Sequence, residues 1–184
     1  MILGPDKDYV RVFNNFISNE DSDYALDILK RKPKVPWRDN LNVNIVPHMF
    51  IESFAFVSNQ AFRVTEKIRE SYNIDSDVFV IDTQMGTWNT DGAGSGTHED
   101  TYGMEYTEFS SIIYLSGDYE GGELDFPELG FTYKPQRGDL ITFPSQGYVH
   151  EVLPVNGGNR STLVGFYSTI NPQLWSESYP KPNA

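Results

Sequence analysis

The sequence predicts a mainly β fold, a double-stranded β-helix (jelly roll) with N-terminal helices packed on one face. Three observations carry this. After residue 75 the chain becomes a series of short β-rich runs: DVFVIDTQMG, FSSIIYLSG, GGELDFPE, GFTYKP, GDLITFPS, VHEVLPV and RSTLVGFYST. The stretches GDYEGG, PELG, PQRGD and NGGN separate them, rich in residues that supply turn geometries. Before residue 75 the apolar period is instead helical. Short strands in this rhythm suit an antiparallel architecture that closes on itself or folds as two sheets.

The elements follow in order. YVRVF (9–13) predicts a short strand. Asn19, Glu20, Asp21 and Ser22 supply capping groups and early acidic charge for a helix through DYALDILKRK. Ala25, Leu26, Ile28 and Leu29 form its stripe, Lys30, Arg31 and Lys32 suit its C-terminal end, and Pro33 stops it. Residues 33–49 hold three prolines and several asparagines and read as a long loop. With Trp37 and Arg38, this loop is a candidate cover for a substrate site. Ser58 or Asn59 is the expected cap of a second helix to about Tyr72, with Ala61, Phe62, Val64 and Ile68 on one face.

The 184 residues suit one domain, with helical and strand support over 1–75 and the jelly-roll core over 76–170. A hydrophobic content of 39% places the chain among folded globules rather than disordered chains. A formal charge of −12 argues against nucleic acid and anionic membranes as partners, since both repel an acidic surface. The chain has no cysteine, which excludes disulfides, thiolate catalysis and Cys-ligated metals. MILGPDKDYVRVF lacks the pattern of a signal peptide and no apolar run reaches ~18 residues, so a cytoplasmic location is expected.

The chemistry lies in few residues. The histidines are His48, His98 and His150. His98 and Asp100 stand two apart, so on an extended strand both face the same side. Imidazole and carboxylate meeting at one point suit iron and other first-row metals. Alone, the pair also reads as a polar turn. A third ligand is more plausible on a rigid strand than in a loop, which selects His150, in YVHEVLPV, over His48, read as a surface loop residue. Two histidines and a carboxylate on one face leave open positions on an octahedral metal, as in non-haem Fe(II) oxygenases. Arg160 opens RSTLVGFYST, a run otherwise apolar or hydroxylic. A buried arginine needs an anion. A dicarboxylate chelating the metal at one end would supply one at the other, where a planar guanidinium pairs with it bidentately. Tyr114, in IIYLSG, is a candidate hydroxyl donor to the same group. Glu99 is expected to face the opposite side, toward solvent.

The order His98-x-Asp100, His150, Arg160 resembles the 2-oxoglutarate/Fe(II)-dependent dioxygenases, most nearly their prolyl 4-hydroxylase-like branch. The linking segments IIYLSG, GGELDFPE, KPQRGDLITFPS and HEVLPVNGGNR resemble the family too, over roughly residues 78–168. NFISNEDSDYALDIL resembles its strand–helix entry. The resemblance implies that His98, Asp100 and His150 ligate Fe(II). It implies that Arg160 and Tyr114 bind the distal carboxylate of 2-oxoglutarate and that Ile112 and Thr162 line that pocket. Phe166 falls where an aromatic closes the pocket near the metal. Trp88 stands near the place of a family tyrosine, and Gln84 is a further candidate to face the site.

The activity so implied is hydroxylation of a C–H bond, foremost of a prolyl residue in a peptide or protein. It consumes O2 and 2-oxoglutarate, releases succinate and CO2, and takes ascorbate as a candidate reductant. A free amino acid or small metabolite is the alternative substrate. A non-catalytic metal-containing jelly-roll binding domain is the alternative of another class. A nucleic-acid demethylase is disfavoured because Arg160 is the last arginine in the chain.

Overall fold

The computed structural model describes residues 6–37, 40–45, 50–88, 94–101 and 106–174. Helix α1 spans Asn19–Arg31 and starts one step before the expected caps: Ser18 is the N-cap, its side chain accepting from Asp21 N–H at 3.0 Å. Ala25, Ile28 and Leu29 are its buried stripe. Helix α2 spans Ile51–Tyr72, eight residues longer at its start than a cap at Ser58 predicts. Its N-cap, Phe50, makes no side-chain cap bond, so the polar signal is missing. The stripe that selects the helix runs on through Phe56, Val57, Ala61, Val64 and Ile68. Phe62, expected on that face, is 67% exposed, because a turn of about 100° per residue carries it off the stripe.

Among the described residues twelve strands follow one another: β1 (Arg11–Phe13), β2 (Val35–Trp37), β3 (Asn40–Ile45), β4 (Phe79–Trp88), β5 (Phe109–Tyr114), β6 (Glu120–Gly121), β7 (Leu124–Phe126), β8 (Phe131–Tyr133), β9 (Leu140–Pro144), β10 (Glu151–Val152), β11 (Val155–Gly157) and β12 (Arg160–Ser168). The large sheet has the order β1-β9-β5-β12-β4-β3-β2, and two small sheets have the orders β10-β7-β8 and β11-β6. Every pairing is antiparallel. The mainly β jelly-roll expectation therefore holds. The expectation of a long loop over 33–49 does not, since β2 and β3 extend the large sheet at its edge. Pro36 is tolerated there because an edge strand can spare an N–H. Arg38 and His48 lie outside the described residues.

The central strands β5, β9 and β12 of the large sheet are buried on both sides, and strand alternation sorts their residues. Met85, Ile113, Leu140, Leu163 and Tyr167 join Ala25, Ile28, Val57, Val64 and Ile68 in a core beneath the two helices. Trp88, Ile112, Tyr114, Ile141 and Phe143 join Leu124, Phe126, Val152 and Val155 in a second core between the sheets. Thus both helices do pack on one face. The other face looks into the space that the small sheets close.

Candidate metal centre and anion pocket

His98 and His150 are brought together by the backbone. Each N–H donates to the other's carbonyl at 2.9 Å, an isolated antiparallel bridge one residue before β10. Their rings lie 4.5 Å apart between centroids. His98 Nδ1 stands 2.9 Å from Gly96 O, and His150 Nδ1 stands 2.9 Å from Tyr148 O. A carbonyl can only accept, so Nδ1 carries the proton in both rings and Nε2 presents a lone pair. The two Nε2 atoms each lie 3.5 Å from one oxygen of Asp100. The three potential ligand atoms all fall within 4.8 Å of one another.

The surroundings differ around this cluster. His150 is buried, with Phe143 edge-on at 4.8 Å and Phe126 at 5.7 Å, while the His98 side chain is 40% exposed. Burial pushes the His150 imidazole below its ordinary range, against the pull of Asp100. The Asp100 hydrogen bond raises His98. Burial acts to raise Asp100, but His98, the His150 charge and the Ser110 hydroxyl together hold it below the ordinary carboxylate range. A metal requires an ionised carboxylate and neutral imidazoles; the shifts of Asp100 and His150 run that way, and that of His98 runs the other.

Glu99 is not simply turned to solvent as expected. Its Oε2 accepts from Gly147 N–H at 3.0 Å. This ties the segment bearing His98 and Asp100 to the loop before His150.

Farther along the inward face, Arg160 is 1% exposed. It stands opposite Trp88 in the β4–β12 register. Its Cζ lies 5.8 Å from the Trp88 ring centroid and 5.2 Å from that of Tyr114. Nε donates to Gly122 O at 3.0 Å, but among the described residues the buried Nη2 has no hydrogen-bond partner, nor has the buried Tyr114 hydroxyl. Thr162 pairs with Tyr114 and Gly86, and Val164 with Ile112 and Gln84. Ile112 is buried in the inter-sheet core. Phe166 pairs with Ser110 and Asp82, and by alternation shares the Arg160 side of β12. Gln84 is engaged by Asp82, its Nε2 donating to Oδ2 at 3.0 Å.

Residues 84–168 match the family model of the 2OG-Fe(II) oxygenase superfamily. The match takes in just under half of the chain. A PKHD-type hydroxylase of Idiomarina loihiensis is 33% identical over 84 residues. That match covers 42% of this chain, which spans only 38% of the relative's length. Among solved structures, a 2OG-Fe(II) oxygenase family oxidoreductase from Burkholderia pseudomallei superposes with a TM-score of 0.73 at 20% identity, covering 89% of this chain and 85% of that one. A viral collagen prolyl hydroxylase from Paramecium bursaria Chlorella virus-1 gives 0.69 at 18% identity, covering 89% and 97%. At such identities these structures show a shared fold.

The superfamily's two small groups meet fitting chemistry here. Two imidazole nitrogens and a carboxylate suit Fe(II). The unpaired Arg160 nitrogen and Tyr114 hydroxyl suit the far end of an anionic co-substrate, since leaving such atoms buried and unpaired is costly. The sequence missed the backbone anchors Gly96 and Tyr148, the hydroxyl of Ser110 beside Asp100, and Tyr119 and Gly122 beside Arg160. Gly121-Gly122 carried a signal, a turn requiring positive φ, but no hint of its neighbour.

Proposed function

We propose that this chain is an Fe(II)- and 2-oxoglutarate-dependent dioxygenase that hydroxylates a prolyl residue in a peptide or protein. One observation carries the reading: a two-histidine, one-carboxylate cluster opens onto the same interior face as a buried arginine with an unpaired nitrogen. His98, Asp100 and His150 hold the iron, leaving positions for ligands that the protein does not supply. Bound iron with 2-oxoglutarate and O2 supplies the C–H hydroxylation chemistry, yielding succinate and CO2. The protein contributes placement. Arg160 and Tyr114 fix the distal carboxylate, Trp88 holds the guanidinium plane, and Ile112 and Thr162 wall the pocket. Buried Phe126 and Phe143 keep water from the His150 side.

The PKHD-type relative and the viral collagen prolyl hydroxylase support a hydroxylase, the latter a prolyl one. The test is mass spectrometry of proline-containing peptides after incubation with the protein, Fe(II), 2-oxoglutarate and ascorbate, the last keeping iron reduced. The expected product carries one added oxygen on proline and requires 2-oxoglutarate. Succinate formed with no peptide modified would move the substrate to a free amino acid or small metabolite.

A further inference from the structure

Beside Arg160 stands a residue that neither strand alternation nor the two-residue spacings reach. Tyr119 lies in the turn between β5 and β6, and its hydroxyl is buried without a hydrogen-bond partner among the described residues. It is the third such polar atom around one guanidinium, with Tyr114 Oη and Arg160 Nη2. Burial raises the phenols of both tyrosines, and the Arg160 charge beside each pulls the other way. Both oxygens thus lie against a cation that only donates. A phenol whose lone pairs face a guanidinium turns its O–H away, and among the described residues no acceptor meets either O–H. Three buried polar groups, two hydroxyls and a guanidinium nitrogen, thus stand beside one another without a partner among the described residues.

The packing explains why they stay there. Gly122 has φ +68° and accepts from Arg160 Nε at 3.0 Å. A Cβ at Gly122 would stand 2.8 Å from Arg160 Cδ and 3.2 Å from Tyr119 Cε2. The glycine therefore lets the arginine stem and the tyrosine ring close over one backbone carbonyl, where any side chain would separate them.

We propose that Tyr119 is a co-substrate-binding residue, donating to the distal carboxylate of 2-oxoglutarate alongside Arg160 and Tyr114, and that Gly122 is the positioning residue that holds Arg160 for it. This rests on the reading of Arg160 given under Proposed function. A carboxylate offers about four lone-pair sites, enough for all three donors. The pocket so built selects a 2-oxo acid with a second carboxylate over one of equal length without it.

Calorimetry of 2-oxoglutarate binding to the full chain loaded with redox-inert Mn(II) tests this without turnover. Tyr119→Phe removes one oxygen and keeps the ring. The dissociation constant should rise by about tenfold to a hundredfold, the worth of one hydrogen bond to a charged group. Affinity for 2-oxopentanoate, which lacks the distal carboxylate, should not change. Equal weakening toward both acids, or unaltered 2-oxoglutarate affinity, would overturn the assignment of Tyr119. Arg160→Met separates the two readings. If it loses 2-oxoglutarate while Tyr119→Phe does not, the arginine reading stands and the tyrosine one falls. If neither variant loses affinity, both fall. Each dissociation constant reports only the folded fraction, so partial misfolding leaves the comparison intact.

Discussion

At the scale of single residues, the site depends on rings whose orientation the backbone dictates. His98 and His150 each turn Nδ1 to the carbonyl two residues earlier, both at 2.9 Å, so no side-chain partner is needed to fix either tautomer. Asp100→Ala should lower Mn(II) affinity by more than about a hundredfold, beyond the loss typical of residues that only orient ligands, as read by calorimetry. Unaltered affinity would remove Asp100 from the ligand set. Glu99→Ala should act differently, costing about 1 kcal/mol of stability for its bond to Gly147 and leaving metal affinity well above that of Asp100→Ala. Equal losses of metal affinity would make Glu99 a ligand. The His98/Asp100 pair was legible from its residue types, although Asp100 lies in a turn and not on the strand that the spacing predicted, and Arg160 because a charge in an apolar run demands a partner. Tyr119 was not legible: it stands in a turn, where no alternation says which way a side chain faces. Nor were Gly96 and Tyr148, which act through carbonyls that every residue possesses.

At the scale of elements, β5 and β12 divide their residues between two cores. Leu163 faces the helices with Ile113 and Met85, while Val164 and Ile112 pair on the side that carries the site. Leu163→Ala should therefore cost about 2–5 kcal/mol by denaturant titration, with 2-oxoglutarate affinity near that of the parent. A large change in affinity without a change in stability would contradict this division. The strands of the jelly roll announced themselves by β-branched and aromatic runs between glycine turns. The hairpin of β2 and β3 was obscured by proline and asparagine content, although NLNVNI alternates polar and apolar residues at the strand period throughout. The start of α2 was hidden for the opposite reason, since it begins without the polar cap by which helix starts are found.

At the scale of the whole molecule, the three candidate ligands come from two segments of the chain. His98 and Asp100 precede β5, and His150 precedes β10. Bringing these segments together places negative Asp100 among groups that a cation would join, in a chain already at −12. A metal that binds only the folded chain stabilises it, by about 2.7 kcal/mol at a hundred times its dissociation constant. Mn(II) should accordingly raise the melting temperature, a chelator should reverse the rise, and His150→Ala should abolish it. No helix among the described residues is long and apolar enough to cross a membrane. The order of the sheets was not legible, because strand pairing is decided by contacts far apart in the chain. The chemistry was more legible than the topology, since it rests on few residue types that cannot replace one another. The most direct test of the whole account is succinate formation from 2-oxoglutarate by the purified chain with Fe(II) and O2. The account predicts iron-dependent succinate from the parent and none above background from His98→Ala or Asp100→Ala. Full succinate formation by either variant, or none by the iron-loaded parent with its peptide substrate, would contradict it.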